Sequence, residues 1–168
     1  LTVRNVIVGL LLTAMLGYVV GALSILPNSS LPQQNSSLIS PTGRKVYRVL
    51  TNKEVNFYAA FARCVSKGWR LATIESKEEN DLMSEEIRTI IDVPITSYWT
   101  SGKYYHGEWK WASSGKDLVE YTAWGTHQPN NLKDSNICLH AHHRGNNKLL
   151  WFDDNCLLEY YPVCEYFV

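Results

Sequence analysis

The sequence predicts an α+β fold for residues 44–168. Two stretches with apolar residues at helical spacing come first, each headed by a capping pattern, and short β-prone pieces separated by turn residues follow. Four cysteines spread over the same region add that the fold is stapled by disulfides.

Lys45–Leu50 mixes Val, Tyr and Leu with basic residues and reads as a short strand. Thr51 with Glu54 three places on forms a capping box, which predicts a helix starting there. Val55, Tyr58, Ala59, Ala62 and Val65 follow at helical spacing. Phe57, Phe61 and Cys64 widen that stripe, so the helix should bury one side. Gly68 is a suitable helix stop, and Leu71-Ala72 suits a short buried strand. Ser76 and Glu79 form a second capping box. Leu82, Met83, Glu86, Ile87, Ile90 and Ile91 then define an amphipathic helix ending near Pro94. Later strands are expected at Tyr98–Thr100, Glu108–Trp111, Ile137–His140, Leu149–Phe152 and Tyr161–Tyr166. Between Trp111 and Ile137 regular patterning nearly disappears, and a loop of that length in a small domain is usually functional.

The chain has 168 residues, enough for one domain plus an appendage. Its 16 basic and 16 acidic side chains balance, which argues against nucleic acid as the partner. No basic run supports a membrane-surface patch. Six Trp and ten Tyr suit a core that aromatic rings must fill where regular elements are few. Cys64, Cys138, Cys156 and Cys164 are even in number and follow an apolar leader, which points to an oxidising compartment. None forms a Cys-x-x-Cys pair, and the residues themselves leave three pairings open. No Gly-x-Ser-x-Gly elbow, His-Glu-x-x-His or phosphate-cradling loop is present, so no enzyme is expected. The Asp153-Asp154 pair lacks the separation across a cleft that a glycosidase needs.

Residues 1–26 contain an apolar run, Val6–Leu26, with Arg4 before it and Pro27 after it. It reads as a signal peptide, with Val20-Gly21-Ala22 as the cleavage triplet, or as a signal-anchor. Gly9, Gly17 and Gly21 dilute the run and favour cleavage. Either way the domain is expected outside the cell, with a membrane as partner only if the segment stays uncleaved. Residues 27–43, rich in Ser, Pro, Asn and Gln, read as a flexible stalk. Asn28 and Asn35 each head an N-glycosylation pattern.

One family carries these landmarks in this order. Asn56-Phe57-Tyr58-Ala59-Ala60 precedes Cys64, and Leu71-Ala72-Thr73-Ile74-Glu75-Ser76 precedes Glu78-Glu79-Asn80. Tyr98-Trp99-Thr100-Ser101-Gly102, Trp109-Lys110-Trp111, Tyr121-Thr122-Ala123-Trp124 and Gln128-Pro129-Asn130 follow. Cys138, Trp151-Phe152-Asp153, Cys156 and Val163-Cys164-Glu165 complete the series. The set resembles the C-type lectin domain in its short form, with a central strand similar to that of insect members. The resemblance implies pairing of Cys64 with Cys164 and of Cys138 with Cys156. It also implies an extracellular carbohydrate-binding protein with a role in immune or host–parasite recognition, and a glycan or glycoprotein as ligand.

Sugar-binding members hold Ca²⁺ in the long loop, where it coordinates two vicinal sugar hydroxyls. The proline between the first two ligands is usually in cis. Carried over residue by residue, the ligand set here is Gln128, Asn130, Asn136 and Asp153. The triplet has an amide at both ends and matches neither the mannose-type nor the galactose-type pattern. Asn136 stands where the family usually has Glu, and Phe152 where it has the ligand Asn. Only Asp153 is charged, so calcium binding is expected to be weak or absent. Asp134 and Asp154 are nearby carboxylates, read as solvated and as a turn cap respectively. A lectin-like domain that binds a protein without calcium is the alternative reading.

Three further features have plain explanations. His140 and His142 share a strand face that would suit a transition metal, but no third ligand stands at a recognised spacing. His127 adjoins the triplet and reads as a solvated loop residue. Trp124 could stack on a sugar, but by resemblance it belongs to the core.

Overall fold

In the computed structural model the described residues are 43–90, 97–130, 136–144 and 148–168. The leader, nearly all of the stalk with Asn28 and Asn35, Ile91, Pro94 and Asp134 lie outside them. Among the described residues no helix is long and apolar enough to cross a membrane.

The first strand, β1 (Lys45–Val49), leads to helix α1 (Phe57–Ser66). That helix starts later than the Thr51/Glu54 pattern predicts. Asn56 is the cap, and its side chain accepts from the Ala59 N–H at 3.0 Å. Thr51 lies in an exposed turn, and Val55 instead bridges to Tyr160. The cap shift rotates the reading of the helix. Phe57, Ala60 and Cys64 are buried, while Tyr58 and Val65 of the expected stripe are about half exposed, at 48% and 54%. Gly68 does follow the helix, at φ 73°, a conformation that a side chain would strain.

After the two-residue strand β2 (Arg70–Leu71), helix α2 (Lys77–Arg88) begins at the expected cap. Ser76 accepts from Glu79 N–H at 3.2 Å, while Glu79 reaches back to the Glu75 N–H rather than to Ser76. Its buried face is Asn80, Met83, Ser84 and Ile87, and Leu82 is left 41% exposed. Asn80 joins the helix to the sheet. It donates to Leu149 O at 3.2 Å and accepts from Trp151 Nε1 at 2.9 Å.

The later strands are β3 (Ser97–Tyr105), β4 (Glu108–Trp111), β5 (Ile137–Arg144), β6 (Lys148–Asn155) and β7 (Tyr161–Phe167). The main sheet order is β1-β7-β3-β5-β6, with β2 beside β7 and β4 beside β3. Every pair is antiparallel except β3 with β7, which is parallel. The terminal strand returns to sit between the first strand and the central one, and that placement fixes its direction. The α+β prediction holds, with a mixed rather than wholly antiparallel sheet.

Two apolar clusters fill the interior. Trp111, Trp151, Met83 and Leu139 anchor the larger, and Trp99, Phe57 and the disulfides the smaller. Cys64 bonds Cys164 and Cys138 bonds Cys156, the pairing implied by the resemblance. Tyr47 shows how polar groups enter this core. Its hydroxyl donates to Thr73 O at 2.5 Å, and burial first, with Glu79 and Glu165 next, holds its pKa well above the ordinary value.

Candidate functional site

Strands β5 and β6 present one face toward the Gln128–Asn130 segment. Residues paired across them share a face, so His140, Phe152 and Asp154 line up with His142 one step along. A cleft of about 330 Å³ opens there, lined by Ser97, Gln128, Asn130, His140, His142, Phe152, Asp153 and Asp154.

The loop is fastened to β6 by reciprocal hydrogen bonds. The Gln128–Pro129 peptide is cis. The Asn130 N–H donates to Asp153 Oδ1 at 2.8 Å, and the Asp153 N–H donates to Gln128 Oε1 at 3.3 Å. Asp153 is only 3% exposed. Its carboxylate and the Gln128 amide oxygen are therefore already engaged in holding the loop.

Of the four sequence-derived ligands, the structure brings three to this cleft and sends one elsewhere. Asn136 is absent from the lining. Its Oδ1 accepts from the Tyr58 hydroxyl at 2.5 Å and from Lys103 Nζ at 3.4 Å. The backbone reason is local: Asn136 caps the entry to β5, where its O accepts from Cys156 N–H at 3.0 Å. Asp154 also faces away from any ion role. It accepts from the Tyr160 hydroxyl at 3.0 Å and from the Asn155 N–H at 2.8 Å. Burial, then Asp154, raises the Tyr160 pKa far above its ordinary value, so that hydroxyl stays a donor at physiological pH.

Phe152 fills the remaining ligand position. Its ring stacks on His140 at 5.7 Å and meets His142 edge-on at 6.2 Å. Space for the ring exists because residue 125 is glycine. A Cβ there would stand 2.7 Å from Phe152 Cζ. A calcium ion takes 6–8 oxygen ligands, several of them charged. Among the described residues this cleft supplies two carboxylates, Asp153 and Asp154, both already accepting from protein donors, with two side-chain amides and one hydroxyl. The donor set does not fit Ca²⁺.

The imidazoles of His140 and His142 share the cleft, as the strand period required, but the described residues contain no group of three His, Cys, Asp or Glu able to hold a metal. Trp124 belongs to the core, meeting Trp109 at 5.0 Å and Trp151 at 5.9 Å. His127 is exposed at φ 61°. Ser97 was not singled out from the sequence. Only the β3–β5 register, Ser97 opposite His142, places it in the cleft.

A model of the family described as the lectin C-type domain matches residues 53–166, most of the chain. The chain belongs to the C-type lectin domain family. A curated relative, lectin subunit alpha of Sarcophaga peregrina, is 22% identical over 157 residues, covering 89% of this chain and 53% of that protein. The chain thus spans about half the length of the first curated relatives it matches. Among solved structures, the C-type lectin domain of murine dendritic cell inhibitory receptor 2 in complex with N-glycan superposes with a TM-score of 0.61 at 19% identity. That likeness covers 74% of this chain and 91% of the other. A calcium-independent type II antifreeze protein superposes with a TM-score of 0.57 at 26% identity, covering 74% and 88%. This lectin domain therefore shares its fold with a glycan-bound protein and with one described as calcium-independent.

Proposed function

We propose that this lectin domain recognises carbohydrate in the cleft between the Gln128–Asn130 loop and β6, with little or no help from calcium. The observation that carries the reading is the loop's attachment: Gln128 and Asn130 are locked to Asp153 by protein hydrogen bonds. In this reading those bonds do for loop geometry what an ion would otherwise do. The exposed Asn130 side chain, Gln128 and the Ser97 hydroxyl then meet sugar hydroxyls directly, and the Phe152 ring offers an apolar face to the sugar's C–H groups. The ligand class is supported by a structural neighbour that is in complex with N-glycan.

The domain acts outside the cell in this reading. Residues 1–26 export or anchor it, and residues 27–43 form a stalk glycosylated at Asn28 and Asn35. Recognition of foreign or host glycans, in immunity or at a host–parasite boundary, is the setting. No reaction is catalysed.

A second reading, a protein ligand, is favoured by Phe152, because an aromatic ring in the cleft suits a peptide side chain as well as a sugar face. A glycan array run with and without a chelator separates the two. The first reading expects glycan signals that persist in chelator and weaken about tenfold in Asn130→Ala, the effect of losing roughly one hydrogen bond. An empty array, with a protein recovered by pull-down, would support the second.

A further inference from the structure

Lys103 lies on β3 and is half-buried. Nζ is 3.4 Å from the Tyr58 hydroxyl, 3.4 Å from Asn136 Oδ1 and 3.5 Å from Cys156 Sγ. It sits over the rings of Phe57 and Tyr58, 5.8 and 5.4 Å from their centroids. These contacts fix its position, since a cation over an aromatic face is attracted to it. They do not neutralise it, and both N···O distances, 3.4 Å, exceed the 2.7–3.2 Å of a good N–H···O bond. Among the described residues no carboxylate lies within ion-pair distance of Lys103, whereas Lys45, Arg70, Lys110 and Lys116 each have one. Tyr58, beside it, is 48% exposed, so the ammonium lies at an open edge.

The position relative to the cleft follows from the strand register. Lys103 pairs with Cys138, and Cys138 pairs with Asp154. Paired residues share a face, and two interstrand steps span about 10 Å. Asp154 lines the cleft. Its carboxylate is turned to the Tyr160 hydroxyl and the Asn155 N–H. That interstrand spacing is within the length of a disaccharide.

We propose that Lys103, with Tyr58 and Asn136 beside it, is a subsite for the anionic group of an acidic glycan, a sulfate or a carboxylate, whose neutral ring occupies the cleft. The proposal rests on the carbohydrate reading above. The anion accepts from the ammonium in a short charge-assisted bond, replacing two long contacts to neutral oxygens.

The test uses the wild type, Lys103→Gln and Lys103→Arg. Each is titrated with a sulfated oligosaccharide and its desulfated counterpart, and with a uronic-acid oligosaccharide and its carboxyl-reduced form. The expected result is about tenfold tighter binding of at least one acidic form by the wild type. That preference should vanish in Lys103→Gln and survive in Lys103→Arg, with neutral affinity the same in all three. Equal affinity for acidic and neutral forms, or a preference that persists in Lys103→Gln, overturns the proposal. If no oligosaccharide binds, the carbohydrate reading fails, and an NMR titration with inorganic sulfate decides the subsite by itself. Sulfate-dependent shifts at Tyr58 and Asn136 that disappear in Lys103→Gln uphold it, and their absence overturns it.

Discussion

Replacing Cys64 and Cys164 together by alanine is expected to lower the unfolding free energy by about 4.7 kcal/mol. The bond closes a loop with a sequence separation of 100 and ties α1 to β7. Releasing so long a loop returns the most chain entropy to the unfolded state. Both cysteines are fully buried, so alanine adds no exposed polar group and leaves only a small void. A domain of this size has a margin of only about 5–15 kcal/mol, so the variant loses much of it. The matching change at Cys138 and Cys156, with a separation of 18, should cost about 3 kcal/mol. Urea unfolding of the two double variants checks both the size and the order. A Cys64/Cys164 loss below about 1 kcal/mol would contradict the role assigned to the long staple.

Glu165→Ala is expected to destabilise by about 3 kcal/mol. Glu165 is 0% exposed, on the strand that carries Cys164. Its Oε1 pairs with Arg70 Nη2 at 2.8 Å and its Oε2 lies 3.6 Å from Lys45 Nζ. It also accepts from the Thr73 N–H at 2.7 Å and the Thr73 hydroxyl at 2.9 Å. Alanine leaves a buried N–H without its acceptor and removes a negative charge beside Lys45, whose side chain is 8% exposed. Lys45 keeps Glu79 at 2.7 Å, which holds the loss to the lower end of the range for broken buried pairs. Glu165→Gln keeps an acceptor for Thr73 and should lose less. A shift in urea midpoint at constant slope measures each. Equal losses for the two variants would place the cost in the charge, which both remove, rather than in the shape and the Thr73 acceptor, which glutamine keeps.

Much of the fold is legible in the sequence because its signals are local. Ser76 and Gly68 announce themselves through capping and backbone freedom, whereas the cysteine pairing follows from the family resemblance and not from the residues alone. The start of α1 is not local. Thr51 and Glu54 satisfy a capping pattern, yet Val55 is held by Tyr160 across the sheet, with N–H···O distances of 3.0 Å in both directions. A contact with a residue so far along the chain overrides the pattern. The site divides in the same way. The order of motifs locates Gln128, Asn130 and Asp153, but Asn136 is turned by Tyr58, which stands 78 residues earlier. Phe152 is visible in the sequence as a missing oxygen. Its slot beside Gly125 and its stack on His140 depend on the β5–β6 register. Lys103 carries no sequence signal, since the company its ammonium keeps is set by the fold.

In the function proposed above, protein hydrogen bonds hold this lectin loop in place of a calcium ion. Calcium calorimetry on the wild type and on Phe152→Asn tests it most directly. The account predicts no saturable calcium heat below about 1 mM for the wild type, and a gain of affinity in Phe152→Asn, which adds an oxygen ligand beside Asp153. Stoichiometric wild-type binding at micromolar calcium would contradict it.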